Sequence, residues 1–344
     1  MYLRLMEEKQ LKSLESILAE PKNIVIVPHV NPDGDAMGST LALQHFLKAM
    51  EHNAAVITPN NYPDFLEWLP GSTGVIIFED ETERAKKIIA QADVIFTLDF
   101  NDLTRSGYQM TDVLKESSAT FVMIDHHQEP ERYADFMYSD ANSSSTCELI
   151  YDFINRLNRI HLITVDIATC LYTGIMTDTG SFRFSSTSSN THRVIADLID
   201  KGANNAMIHE NIFDTKTPQQ LRLLGVALKN LKVIEEFQTA YITLSQEELN
   251  QSGFRKGGTE GFVNYGLSLK GIVFAVIFIE NKQEGIIKIS FRSKGRFDVN
   301  KFARAHFDGG GHLNAAGGKS GKNMEDTILH FESLLKKYHN LKKK

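Results

Sequence analysis

Cysteine is nearly absent from this chain, which has only Cys147 and Cys170 among 344 residues and no C-x-x-C pair. A disulfide scaffold is thereby excluded and a structural zinc site is disfavoured, because both need paired or clustered thiols. This cysteine usage fits a reducing compartment, and we expect the protein to be cytoplasmic.

Long apolar runs and an excess of basic residues are also missing. No apolar run approaches the roughly 20 residues that cross a bilayer, so we expect no membrane span. Residues 1–20 mix acidic and apolar residues at helical spacing, which predicts a surface helix and no signal peptide. The net charge is −6. This balance disfavours long nucleic acid, which is usually bound through a basic groove, but permits a short phosphorylated ligand.

The first half of the chain alternates short apolar runs with helical patterns. Apolar runs lie near 24–27, 54–58, 75–78, 93–98 and 120–124, and helical patterns near 36–50, 83–91, 145–158 and 165–176. This alternation predicts an α/β fold with a doubly wound, mostly parallel sheet. Because the chain exceeds the length that one core usually supports, we expect two domains.

The pattern changes after residue 191. A helical segment over 192–235 predicts a linker. Strand-like runs follow at 239–243, 272–279 and 285–291, the last two spaced as a hairpin, and then a helix near 298–306. The predicted organisation is a catalytic domain over 1–191, a helical linker over 192–235 and a smaller mixed-sheet α+β domain over 236–344.

Two of the apolar runs end in candidate metal ligands. Asp125-His126-His127 directly follows the run 120–124, and the loop His29 to Asp35 follows the run 24–27. The carboxyl ends of strands are where open α/β sheets bind ligands. Within the loop, Asp35 lies near a predicted helix start, so an N-cap explains it as well as a metal does, whereas capping explains Asp33 poorly.

Two further acids have the same setting, since Asp99 closes the run 94–98 and Asp178 follows the apolar segment 171–176. Four carboxylates and two imidazoles at one sheet edge require cations. The candidate metal ligands are His29, Asp33, Asp35, Asp99, His126 and Asp178. Carboxylates with a minority of imidazole favour Mn²⁺, with Mg²⁺ as the alternative. Two ions about 3.5 to 4 Å apart favour attack by an activated water on phosphorus, so the set predicts phosphoester hydrolysis.

The second domain offers a candidate anion site in a run of three glycines that ends in a histidine. Glycine lets backbone N–H groups approach a phosphate closely, although a flexible turn explains the glycines alone equally well. An Arg-Ser pair upstream adds a bidentate phosphate ligand and a hydroxyl donor. The predicted substrate-binding residues are Arg292, Ser293, Gly309, Gly310, Gly311 and His312.

With these motifs the chain resembles the DHH phosphoesterase superfamily, which is named for residues such as Asp125-His126-His127. Segments 29–35, 98–105, 124–127 and 174–182 look like its four ordered motifs, and the glycine-rich segment looks like its accompanying domain. The two-domain plan is similar to that of the bacterial bifunctional oligoribonucleases, or nanoRNases, which are also phosphatases of 3′-phosphoadenosine 5′-phosphate (pAp). One departure is Leu313-Asn314, where relatives often carry Pro.

The resemblance implies a role for each motif residue. One manganese ion would be bound by His29, Asp33 and Asp99, and a second by Asp35, Asp99, His126 and Asp178. Asp99 would bridge the two ions. His127 would contact the scissile phosphate with Asp125 supporting it from behind, and Arg105 would bind phosphate. The second-domain loop would hold the rest of the nucleotide in a cleft between the domains.

The resemblance also implies the reaction, namely manganese-dependent release of 5′-mononucleotides from oligonucleotides of a few residues and conversion of pAp to AMP. A pyrophosphatase or polyphosphatase would need a more basic second domain. A cyclic dinucleotide phosphodiesterase would usually bring membrane and sensor segments, although linear dinucleotides stay open as substrates. A non-enzymatic nucleotide-binding regulator would be expected to have lost a ligand. The sequence leaves open whether the protein is a monomer or a homodimer.

Overall fold

The strands of the first half form one sheet in the computed structural model, which describes residues 3–4, 6–254, 257–311 and 313–338. These strands are β1 (Leu3–Arg4), β2 (Asn23–Val27), β3 (Asn53–Thr58), β4 (Ile76–Ile77), β5 (Val94–Leu98), β6 (Thr120–Asp125) and β7 (Phe136–Asp140). Their order is β1-β7-β6-β5-β2-β3-β4. The strands β2 to β7 pair in parallel, and β1 pairs antiparallel to β7. The predicted mostly parallel sheet is confirmed.

Helices cover both faces of this sheet. They are α1 (Glu8–Ile17), α2 (Gly34–Ala49), α3 (Thr82–Ala90), α4 (Tyr108–Lys115), α5 (Thr146–Arg156), α6 (Val165–Asp178), α7 (Ser189–Asp200) and α8 (Asn205–Phe213). Alternate residues of a strand point to opposite faces. Ile24 and Ile26 accordingly pack with α2, α5 and α6, whereas Val25 and Val27 pack with α3 and α4. The sheet is therefore doubly wound, as predicted.

The second half builds a separate mixed sheet. Its strands are β8 (Lys232–Ile234), β9 (Thr239–Leu244), β10 (Phe274–Asn281), β11 (Ile286–Ser293), β12 (Gly310–Gly311) and β13 (Ala315–Ser320), and its helices are α9 (Pro218–Lys229), α10 (Gln246–Gln251), α11 (Phe262–Ser268), α12 (Val299–His306) and α13 (Met324–Leu335). The order is β12-β13-β11-β10-β9-β8, with β9 and β10 parallel and the other pairs antiparallel. The hairpin of β10 and β11 is the predicted one.

The chain divides into two units, Met1–Thr215 and Lys216–Lys344. The division falls inside the segment 192–235, which the sequence predicts to be a helical linker. In the second unit, Phe274, Val276 and Phe278 pack with α12 and α13, and Ala275 and Ile277 pack on the side of α9, α10 and α11. Within the described part of the chain, no helix has both the length and the apolarity to cross a membrane.

Candidate metal centre

The loop after β2 is fixed by contacts to two other segments. The backbone N–H of Val30 donates to the carbonyl of Arg105 at 2.7 Å. Asn31 has a left-handed φ of 54°. Its N–H donates to Asn60 Oδ1 at 2.7 Å, and Asn60 Nδ2 donates back to Asn31 Oδ1 at 2.9 Å. His29, which begins this loop, therefore starts from an anchored backbone.

Asp33 and Asp35 have different structural roles in the loop. Asp33 is the N-cap of α2, with Oδ1 accepting from the N–H groups of Asp35 at 3.0 Å and Ala36 at 3.1 Å. The interpretation that capping explains Asp33 poorly and Asp35 well was therefore wrong. Asp35 is buried, and its carboxylate accepts from the N–H groups of Thr146 at 2.6 Å and Cys147 at 2.9 Å. These two N–H groups begin α5, whose dipole favours a negative charge there.

Asp99 lies between the two imidazoles. Its φ of 65° is left-handed, which is strained for a residue other than glycine, and its N–H donates to the carbonyl of Ile124 at 3.1 Å. Oδ2 lies 3.3 Å from His29 Nε2, and Oδ1 lies 3.5 Å from His126 Nε2. The two oxygens of one carboxylate thus face different histidines.

Asp178, the last residue of α6, completes the group on the other side of His126. Its Oδ2 lies 3.5 Å from His126 Nε2, which is also 3.9 Å from Asp35 Oδ2. Asp35 lies in the first turn of α2, so the two acids meet only because α2 and α6 pack closely. Glycines permit this approach: a Cβ on Gly38 would lie 2.6 Å from the carbonyl oxygen of Cys170.

The structure therefore brings all six predicted ligands together in two groups. Each group offers three ligand atoms that lie within 4.8 Å of one another. The groups are His29, Asp33 and Asp99, and Asp35, His126 and Asp178. Asp99 also groups with His126 and His127. The first group is the set that the resemblance implies for one ion, and the second group is its set for the other ion without Asp99. The metal-binding role of each residue stays a prediction.

Without a bound cation, His29, His126 and Asp35 keep their protons to a higher pH than these side chains usually do. Burial opposes protonation of His29, but its hydrogen bond to Asp99 and the Asp99 charge raise the pKa of His29 to about 9. Burial likewise opposes protonation of His126, whereas the charges of Asp178, Asp99 and Asp35 raise its pKa to about 10. Burial and then the Asp99 charge raise the pKa of Asp35 to about 7. Divalent cations fit such a site because they would replace these protons.

The metal-free protein is expected to lose stability as the pH rises from about 6.5, the ordinary pKa of histidine, to about 10, the raised pKa of His126. His29 and His126 are responsible for this loss, and Asp35 contributes only up to about pH 7. Because these folded-state pKa values lie above the unfolded ones, the folded state holds more protons in this range, and raising the pH favours unfolding. The thermal midpoint of chelator-treated protein measures the effect. The manganese-loaded protein is the control, and its midpoint should fall less. A chelated protein with equal midpoints at both ends of the range would contradict the prediction.

Three predicted site residues of the first unit are not predicted metal ligands, namely His127, Asp125 and Arg105. His127 Nδ1 donates to Oδ1 of the fully buried Asp125 at 2.7 Å. The supporting role that the resemblance implies for Asp125 stays a prediction. Arg105 lies in the turn Leu103–Ser106 and is half-buried, and its carbonyl holds the loop after β2.

The second-unit residues have structural partners of their own. Arg292 Nη1 donates to the carbonyl of Phe291 at 3.0 Å, and the Ser293 hydroxyl donates to the carbonyl of Phe297 at 2.6 Å. The hydroxyl proton of Ser293 is thus committed within the unit. His312 lies outside the described residues.

The glycine run is a paired strand and not a flexible turn. Gly310 pairs with Gly317, and Gly311 pairs with Ala316. A Cβ on Gly309 would lie against the Gly317 carbonyl, so the backbones leave room for glycine only. The N–H of Gly311 donates to Asn300 Oδ1 at 3.0 Å. Substrate binding by Gly309, Gly310 and Gly311 remains a prediction.

A doubly wound sheet with this cluster of histidines and acids at one edge defines a hydrolase of phosphoester bonds. The family model "DHH family, N-terminal domain" matches residues 23–175, and the "DHHA1 domain" model matches residues 236–338. The chain belongs to the DHH family of phosphoesterases.

Two relatives of similar length support this assignment, and a longer, more distant protein shares the fold. The chain is 31% identical to the bifunctional oligoribonuclease and PAP phosphatase NrnA of Thermus thermophilus, over 90% of this chain and 88% of the relative. The crystal structure of an exopolyphosphatase-related protein from Bacteroides fragilis matches 100% of both chains with a TM-score of 0.95 and 39% identity. RecJ of Thermus thermophilus in complex with Mn²⁺ shares the fold, with a TM-score of 0.54 and 13% identity over 98% of this chain and 56% of RecJ.

Proposed function

We propose that this chain is a manganese-dependent hydrolase that cuts short oligoribonucleotides to 5′-mononucleotides and removes the 3′-phosphate of pAp. The observation that carries the proposal is the pair of ligand groups with Asp99 facing both. The Thermus relative bears the corresponding activities in its name. The net charge of −6 supports short substrates over long ones.

Each part of the site would have its own task. His29, Asp33 and Asp99 would hold one ion, and Asp35, His126 and Asp178 would hold the other. Asp99 would also serve the second ion, because its Oδ1 lies 3.5 Å from His126 Nε2. Two bound cations would activate water and neutralise the charge that develops on the phosphate.

The other predicted residues would act on the substrate. His127, whose ring Asp125 orients, would contact the scissile phosphate, and Arg105 would bind a phosphate oxygen. Arg292 and the glycine segment would contact the rest of the nucleotide.

We also propose a cytoplasmic location, because both cysteines are buried and form no disulfide.

A second candidate is hydrolysis of inorganic polyphosphate or pyrophosphate. The Bacteroides fragilis relative, which is called exopolyphosphatase-related, favours the polyphosphate form of this candidate. The second unit argues against it, because its predicted substrate-binding residues include a single arginine, whereas a polyphosphate or pyrophosphate site would need a more basic set. Linear dinucleotides would be substrates under the first proposal.

A substrate panel separates these functions. With manganese present, we expect kcat/KM for a diribonucleotide and for pAp to exceed that for a long RNA and for polyphosphate by at least about tenfold, a difference of about 1.4 kcal/mol in transition-state binding. Release of mononucleotide and of phosphate would be measured, with chelator-treated enzyme as the control. Equal rates on short and long RNA would refute the length preference. Faster hydrolysis of polyphosphate would favour the second candidate.

A further inference from the structure

The segment 143–147, which leads into α5, contacts three of the six predicted ligands. Thr146 N–H and Cys147 N–H donate to the carboxylate of Asp35. The Thr146 hydroxyl donates to Asp99 Oδ1 at 3.0 Å. The carbonyl of Ser143 lies 3.4 Å from His126 Nδ1. Thr146 is therefore hydrogen-bonded to one acid in each ligand group.

The hydroxyl of Thr146 is not needed to cap the helix. The N-cap of α5 is Ser145, whose Oγ accepts from the N–H of Glu148 at 3.0 Å. Thr146 is fully buried, and its hydroxyl donates to Asp99. A buried hydroxyl is costly unless it is hydrogen-bonded, so this donor and its acceptor depend on each other.

The orientation of the Asp99 carboxylate decides which histidine each of its two oxygens faces. Oδ2 of Asp99 faces His29 at 3.3 Å, and Oδ1 faces His126 at 3.5 Å. Rotation about the terminal carboxylate bond has a broad energy profile, so the side chain alone does not hold this orientation. The hydrogen bond from Thr146 is made to Oδ1, the oxygen on the His126 side, while Oδ2 lies on the His29 side.

We propose that Thr146 is a positioning residue that orients the Asp99 carboxylate so that its two oxygens face the two metal positions. The proposal rests on the metal centre of the proposed function. Thr146 links the orientation of Asp99 to the position of Asp35, because its hydroxyl and its N–H bind one acid each.

The test replaces the hydroxyl and leaves the shape of the side chain. Thr146→Val keeps both backbone donors to Asp35, and Thr146→Ser keeps the hydroxyl. Metal-stripped full-length protein is titrated with Mn²⁺, and electron paramagnetic resonance measures free Mn²⁺ and the spin-coupled signal of a two-ion centre. We expect Thr146→Val to bind the second ion about 10- to 100-fold more weakly and to lose the coupled signal, while Thr146→Ser stays near wild type.

A matched control separates positioning from stability. Thr164 is the N-cap of α6, at the opposite end of that helix from Asp178. Thr164→Val makes the same chemical change and removes a cap, so it should lower the thermal midpoint and leave Mn²⁺ affinity unchanged.

The outcomes distinguish the two proposals. A wild-type protein that binds fewer than two ions would contradict the proposed metal centre, whatever Thr146 does. A wild type that binds two ions and a folded Thr146→Val that binds both equally well would overturn only the role of Thr146. If Thr146→Val does not fold, Thr146→Ala is compared with Thr146→Ser, and equal affinities of those two variants would overturn the role as well.

Discussion

Asp99→Asn is expected to lower kcat for phosphoester hydrolysis by at least about 10³-fold, or about 4 kcal/mol of transition-state stabilisation. The amide keeps the shape of the side chain but removes the charge that His29 and His126 both face, at 3.3 and 3.5 Å. Because Asp99 faces both ligand groups, this one change should weaken both metal positions. Steady-state kinetics on a diribonucleotide and the number of Mn²⁺ ions bound per chain measure the effect.

The matched control lies at the other end of the same strand. Asp93 directly precedes β5 and accepts from the N–H of Asn23 at 2.7 Å. Asp93→Asn leaves an amide oxygen to accept that bond, so activity and metal content should stay at the wild-type level. An Asp99→Asn protein that still binds two ions and works within tenfold of wild type would show that Asp99 does not bridge.

The strands that carry ligands are the part of the fold that the sequence predicts best. β2, β5 and β6 are runs of branched and aromatic residues, and the structure places each within one residue of the prediction. Each of them also ends one or two residues before a predicted ligand, which is why His29, Asp99 and His126 could be grouped. The pattern does not predict β7, Phe136 to Asp140, because its apolar run is only three residues long.

The contacts that assemble the site were not predictable in the same way. The N–H of Thr146 meets Asp35 from 111 residues along the chain, and nothing in the local sequence marks that pairing. A weaker signal was present in the spacing of Gly34 and Gly38, four residues apart on α2. That spacing places two positions without side chains on one face of the helix, where a second helix can approach.

In the glycine segment, too, the sequence pattern did not predict the local structure. The sequence favours a candidate anion site or a flexible turn for Gly309 to Gly311, because glycine gives no strand pattern. The structure pairs two of them with β13, whose own sequence, Ala315 to Ser320, is also poor in large apolar residues. Backbone pairing determined this local structure, and side-chain patterning could not reveal it.

Gly174→Ala is expected to destabilise the protein by about 2–3 kcal/mol and to reduce hydrolysis by about 10²-fold. A Cβ at this position on α6 would lie against Cys147 Sγ and 2.9 Å from Asp35 Oδ1. Either α6, which carries the predicted ligand Asp178, or Asp35, which is itself a predicted ligand, must therefore move. The overpacking must also outweigh the helix propensity that alanine gains over glycine, about 1 kcal/mol. Urea unfolding and kinetics at saturating Mn²⁺ measure the two effects.

Gly225→Ala is the control, because Gly225 is also inside a helix, α9, and a Cβ there would meet nothing within 4 Å. The same substitution should therefore stabilise the protein slightly, by about 0.5–1 kcal/mol. Adding Cys147→Ala to Gly174→Ala removes the thiol from the contact and should recover part of the stability, while the approach to Asp35 keeps hydrolysis impaired. If Gly174→Ala behaves like Gly225→Ala in both measurements, the close packing of α2 and α6 does not position Asp35 and Asp178.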